Sequence, residues 1–284
     1  MFDVTVTFDN GPEPSVTPRV LDVLARRGVR TTFFVIGNKL LTRDARACTE
    51  RAHAEGHWIG NHTWTHSRPL GERPGAATAD LEIGRTQAEI GVLSHSDRLF
   101  RPTGGGGHLD RRLLSPDAAA LLKAGGYTCV LWNAIPRDWA DPEGWVGIAL
   151  AQLARQYWTL MVLHDVRSDA MRHLDRFLAE VKERGGRLRQ DFPASCLPIT
   201  CGRITGPLAD FVSSASERSS DGTAPLGSHE FESAENMPGE GLLGLGCEVM
   251  ELHHLIFTHL SIVSGSNVLS HQIAWVDARV IMTH

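Results

Sequence analysis

Short apolar, β-branched runs alternate with amphipathic stretches through the first part of the chain. Val4-Thr5-Val6-Thr7-Phe8-Asp9 has the residue types of a strand. From 15 to 27, Val16, Val20, Leu21, Val23 and Leu24 recur at helical spacing, with Pro18 near the start and Gly28 as the stop. Thr31-Thr32-Phe33-Phe34-Val35-Ile36-Gly37 reads as a second strand, followed by a helix over 39–55 and a short apolar run at Trp58-Ile59. A helix over 76–92 comes next, then strands at 98–101, 127–132 and 159–164. Helices at 111–124, 143–155 and 167–184 separate or follow them. Alternation of this kind predicts an α/β fold with a parallel sheet or barrel. In such folds the chemistry collects at the carboxyl ends of the strands.

Polar residues do stand at those ends. Asp9-Asn10-Gly11-Pro12 follows the first strand, and Asn61-His62-Thr63-Trp64-Thr65-His66 follows the third. Arg101-Pro102-Thr103-Gly104-Gly105, Asp138-Trp139 and His164-Asp165 follow later ones. His62 and His66, four apart, can share a metal ion. That spacing alone says little, because the chain has 14 histidines and His53/His57 repeats it. His53 falls on a predicted helix and His57 just before a strand, so that second pair reads as structural. Asp9 leaves an apolar strand directly into a turn, where a carboxylate can act as a base. The glycines at 104–107 lack the Lys-Ser/Thr that a phosphate-binding loop needs.

Composition narrows the class of protein. With 42% hydrophobic and 21% charged residues, the 284-residue chain has the makeup of a globular protein. No run is long and apolar enough for a membrane span. A net charge of −5 gives no basic footprint for nucleic acid. Cys48, Cys129, Cys196, Cys201 and Cys247 show no metal-pair spacing, and free thiols are expected. The first strand begins directly after Met1, so a cytoplasmic protein, or one that has lost its leader, is expected. Charge is unevenly spread: residues 213–284 hold only Arg218 and Arg279 against nine acids. The join at 213–222 has linker composition, which places a boundary near 212. Residues 213–284 read either as a small appended element or as a stretch out of its ancestral frame, and the second is preferred. Three histidines there, His253, His254 and His259, lack a clean ligand spacing.

Five motifs then stand in order: Thr7-Phe8-Asp9-Asn10-Gly11-Pro12, His62-Thr63-Trp64-Thr65-His66, Phe100-Arg101-Pro102-Thr103-Gly104-Gly105, Arg137-Asp138-Trp139 and Val162-Leu163-His164. Together they resemble the polysaccharide deacetylases, the NodB-homology domain of carbohydrate esterase family 4, over about residues 3–210. The resemblance implies a distorted (β/α) barrel, N-deacetylation of an N-acetylated amino sugar or polysaccharide, and one divalent metal, zinc or cobalt. It implies Asp9 as general base, Arg101 holding Asp9, His164 as general acid, and Asp138 on the other nitrogen of His164. Asn10, His62 and His66 fall on the metal-ligand positions. Gly104, Trp139 and Leu163 fall where substrate is bound.

Three positions depart from the family pattern. Asn10 replaces a ligand Asp, so the metal is expected to bind weakly. Thr103-Gly104 replaces a Pro-aromatic step, keeping a backbone donor for the oxyanion but losing an aromatic wall. Ile135 replaces an earlier Asp of the fourth motif. Two other readings follow: a hydrolase of another linear amide or ureide, or a non-catalytic carbohydrate binder using Trp64, Trp139 and Trp132 on sugar faces. The sequence is silent on oligomeric state.

Overall fold

A computed structural model of the chain describes residues 1–214. The predicted tail, with Cys247 and the histidines at 253, 254 and 259, lies outside the described residues apart from Ser213 and Ser214.

The strands are β1 (Phe2–Asp9), β2 (Thr32–Val35), β3 (Trp58–Asn61), β4 (Leu99–Phe100), β5 (Thr128–Cys129), β6 (Trp158–His164), β7 (Gly186–Arg189), β8 (Ile199–Thr200) and β9 (Arg203–Ile204). They form one sheet in the order β6-β1-β2-β3-β4-β5-β8-β9, with β7 also paired to β1. Every pairing from β6 to β5 is parallel, and β8 and β9 continue the sheet antiparallel. Beyond β5, the segment that follows it meets β6 through a single parallel bridge, Ala134–Met161. The result is the expected distorted barrel, closed there by one bridge rather than by a full strand pair.

Alternation along β1 sorts its side chains. Val4, Val6 and Phe8 join the cluster that packs under helices α1 (Thr17–Arg27) and α7 (Leu174–Glu183). Thr5, Thr7 and Asp9 take the opposite face, since successive strand side chains alternate. Strand β6 repeats the split, with Met161 and Leu163 in the helix-side cluster. Asp9 and His164 are register partners at the paired ends of β1 and β6. The outer layer is completed by α2 (Arg43–Ala54), α5 (Pro116–Ala124) and α6 (Trp145–Leu153). Helix α1 stops where Gly28 turns left-handed at φ 63°.

The predicted elements are present, with differences that have physical reasons. The helix expected over 39–55 is a 3₁₀ turn, Gly37–Leu41, followed by α2. The helix expected over 111–124 begins at Pro116, capped by the Ser115 hydroxyl accepting from the Ala118 amide. The helix expected over 76–92 divides into α3 (Ala76–Ala79), a wide π-turn at Asp80–Gly84, and α4 (Arg85–Ile90). Strand β7 was not expected, because Arg187 and Arg189 hide its pattern. Both arginines pair with Asp3 of β1.

Candidate active site

Asp9 is 4% exposed at the end of β1. Its Oδ1 accepts from Arg101 Nη1 at 2.8 Å. Arg101, fully buried, leaves β4 toward the barrel interior and also donates to Thr7 Oγ1 at 2.7 Å and to the Val130 carbonyl. Its guanidinium lies 4.1 Å from the centre of the Phe34 ring. Burial alone would raise the Asp9 pKa, but Arg101, through its charge and its hydrogen bond, together with the neighbouring imidazoles, outweighs it and holds the carboxyl below its ordinary value. Asp9 is therefore an ionised carboxylate at neutral pH.

His164 stands beside it at the end of β6. Its Nδ1 shares a 2.8 Å hydrogen bond with Asp138 Oδ1, and its backbone N–H donates to Asp138 Oδ2 at 2.9 Å. Burial would lower the His164 pKa. The Asp138 hydrogen bond and charge, with Asp9 and Asp165 behind them, reverse this and hold it above the ordinary value. Trp139 packs edge-on against the imidazole at 4.6 Å between ring centres.

The second half of the site comes from the loop after β3. The Arg101 carbonyl can only accept, so the His62 Nδ1 bound to it at 2.8 Å carries the proton. His62 Nε2 is thereby left with its lone pair, 3.6 Å from Asp9 Oδ2. The His66 ring lies 4.7 Å from that of His62. Burial lowers both imidazoles, His66 to about 3 with His62 as a further cause. Both are neutral, as metal ligation requires.

Asn10 takes the left-handed conformation at φ 70°. Its backbone carbonyl accepts from Lys39 Nζ at 2.7 Å, while its side-chain Oδ1 is buried with no hydrogen-bond partner. The next residue leaves little room for a side chain: a Cβ on Gly11 would come within 2.3 Å of both Asp165 oxygens. Asp165 is fully buried, receives a hydrogen bond from Thr17, and is pushed up to about 7 by burial.

Among the described residues, no cluster of three or more His, Cys, Asp or Glu could hold a metal ion. The donors brought together are two imidazoles and one amide. An orphaned Asn10 oxygen and the free Nε2 of His62 fit a divalent cation, with one negative charge fewer than a carboxylate would supply.

Asp9, Asn10, His62, His66 and His164 line one cleft of about 200 Å³, walled by Gly104, Trp132, Ile135, Trp139 and Val162. Residues 2–130 match the family described as polysaccharide deacetylase. Over 189 residues the chain is 31% identical to a peptidoglycan-N-acetylglucosamine deacetylase of Bacillus cereus, an alignment covering 65% of this chain and 84% of that protein. The chain belongs to the polysaccharide deacetylase family. A chitooligosaccharide deacetylase of Rhizobium leguminosarum is 36% identical over 141 residues, 48% of this chain and 56% of that one. Among solved structures, a family 4 carbohydrate esterase from Streptomyces lividans in complex with acetate superposes with a TM-score of 0.57 at 25% identity, over 70% of this chain and 97% of that one.

Within this deacetylase fold, three sequence expectations need correction. Leu163 does not reach the cleft: it is fully buried in the helix-side core, and its neighbour Val162 lines the cleft instead. Trp64 offers no sugar face, being 6% exposed with the Arg85 guanidinium 3.9 Å from its ring centre. Trp132 is buried too, and it fills the space at Gly104. A Cβ there would meet its ring at 2.5 Å, and its Nε1 donates to the Gly107 carbonyl at 3.1 Å. The aromatic surface thought lost at position 104 is thus supplied from the segment after β5.

His57 is structural as expected. It is buried, its Nδ1 accepts from the Thr31 amide at 3.1 Å, and burial lowers its pKa to about 4. Cys48, Cys129, Cys196 and Cys201 are free thiols, and Cys247 lies outside the described residues. Sequence reasoning missed Thr7 and Glu82, both tied to the site by hydrogen bonds. Alternation within β1 was the available signal for Thr7, which shares a face with Asp9. No described helix is long and apolar enough to cross a membrane.

Proposed function

We propose that this protein hydrolyses the N-acetyl amide of an amino sugar, with one zinc or cobalt ion held by Asn10, His62 and His66. The names of the relatives point to N-acetylglucosamine in peptidoglycan or chitooligosaccharide as the substrate class. The observation that carries the reading is the pairing of Asp9 and His164 at neighbouring strand ends on one cleft, with their pKa values moved in opposite directions.

Asp9, kept ionised by Arg101, takes a proton from the attacking water as its oxygen bonds to the acetyl carbon. His164, kept protonated by Asp138, gives its proton to the amine nitrogen as the C–N bond breaks. Without that proton the amine would leave poorly. When bound, the cation supplies a Lewis acid for the carbonyl oxygen and makes water more acidic. A backbone N–H at Gly104 adds a second donor for the developing oxyanion. Trp139 and Val162 close the apolar side around the acetyl methyl.

Acetate release from N-acetylglucosamine oligomers tests this directly. Asp9→Asn and His164→Ala should each lower turnover by about a hundredfold or more, with the circular dichroism spectrum unchanged. Wild-type turnover in a folded Asp9→Asn protein would remove Asp9 as the base.

A further inference from the structure

His62 and His66 sit on a loop held partly by its own hydroxyls, with Thr63 Oγ1 accepting from the His66 amide at 3.2 Å, and partly by groups outside it. Thr63 and His66 are both left-handed, at φ 67° and 51°, a conformation that costs non-glycine residues energy unless the surroundings enforce it. Gly37 and Asn38 donate to the Thr63 and Trp64 carbonyls, and further enforcement comes from the π-turn at Asp80–Gly84. Such turns are rare interruptions of a helix, and they free backbone groups that need other partners.

Here those partners lead to the histidine loop. Asn61 Nδ2 donates to the Ile83 carbonyl of this turn at 2.9 Å, while Asn61 Oδ1 accepts from the Thr63 amide at 3.0 Å. Thr86 Oγ1 donates to the Glu82 carbonyl at 2.9 Å. The Glu82 side chain, 1% exposed, holds the Trp64–Thr65 stretch. Its Oε2 accepts from the backbone N–H groups of Trp64 at 3.0 Å and Thr65 at 2.9 Å. Its Oε1 accepts from Thr65 Oγ1 at 2.7 Å and from Arg73 Nη1 at 2.9 Å. A buried carboxylate that accepts four hydrogen bonds is an expensive way to fasten a loop, and only a carboxylate can accept at both oxygens.

We propose that Glu82, aimed by the π-turn, is the positioning residue that fixes His66 relative to His62. Gln in its place turns one acceptor into a donor facing N–H or O–H groups, so one end of the loop is released. Neither Glu82 nor Arg73 lines the cleft, and the effect passes through the Trp64–Thr65 backbone to the adjoining His66. Residues that orient a metal ligand from behind are commonly worth about ten- to a hundredfold in metal affinity.

The test compares wild type with Glu82→Gln by zinc titration against a chromophoric chelator and by the imidazole NMR signals of the metal-free protein. The zinc measurement rests on the metal site proposed above, whereas the ring signals do not. The expected result is zinc affinity weaker by about tenfold or more, with His66 signals displaced and those of the remote His57 unmoved. Unchanged affinity and unchanged His66 signals in folded Glu82→Gln would overturn the proposal. Should wild type itself take up no zinc, the metal reading fails. The His66 signals then decide alone: displacement supports the role of Glu82 and constancy refutes it. If Glu82→Gln does not fold, Arg73→Met decides by the same measurements. It removes one donor to Glu82, so a smaller displacement of His66 supports the role and none refutes it.

Discussion

On the β1–β6 side of the cleft every charge has a partner: Asp9 has Arg101 and His164 has Asp138, each at 2.8 Å. Around the proposed cation ligands, His62 and His66 after β3 and Asn10 after β1, the two imidazoles are neutral and the Asn10 oxygen has no hydrogen-bond partner. The contrast separates two requirements. Proton transfer needs groups whose ionisation is settled in advance by buried neighbours, and that half is complete. Cation binding is strengthened by negative charge in the ligand set, and that half supplies donors without it. Under the proposed function, the acid–base groups stand ready whenever a cation is present, and the cation itself is held weakly.

Breaking the charged half should have the largest effect. Arg101→Met leaves Asp9 buried without its cation and unties Thr7 and the Val130 carbonyl. Removing one partner of a buried ion pair costs about 3–5 kcal/mol, a large share of a typical domain's stability. Urea unfolding should show that loss, and acetate release should fall with it.

Asp138→Asn is milder and sharpens the acid assignment. In the native protein the His164 pKa is raised above its ordinary value, so the basic limb of activity, where rising pH deprotonates the ring, should lie above that of an ordinary imidazole. With the Asp138 charge gone, burial dominates and the limb moves below its native position. Turnover on the basic side of the profile should drop with it. A pH–rate profile whose basic limb is unmoved in the variant would detach Asp138 from His164.

Gly11→Ala should have the smallest effect and tests how the Asn10 turn is seated. The new Cβ meets the Asp165 carboxylate, so that group or the turn must shift, costing about 1–3 kcal/mol. Thermal unfolding reads that cost. An unchanged Tm would show that the turn and Asp165 are not tightly coupled.

Much of this was legible in the sequence because strand ends and chemistry coincide. Asp9, Arg101 and His164 each follow an apolar run, so order along the chain already groups them at one end of the sheet. Parity within a strand was harder to read. Leu163 and Val162 are both apolar, and only the pairing of β6 with β1 shows which faces the cleft. Trp132 and Gly104 lie 28 positions apart in the chain, so nothing local says that one fills the space of the other. Glu82 was hidden for a different reason. It lies inside a helical pattern, where an acid ordinarily reads as a solvated face, and the π-turn that turns it inward leaves no mark on the periodicity.

The most direct test of the account is the metal dependence of acetate release in wild type and Asn10→Asp, measured side by side from chelator-stripped protein. The account predicts that both variants are revived by added zinc or cobalt. Asn10→Asp should be half-saturated at a concentration lower by about tenfold, a difference of about 1.4 kcal/mol, because a charged oxygen joins the two imidazoles. Identical saturation curves would remove Asn10 from the ligand set. Acetate release that ignores the metal altogether would contradict the central claim.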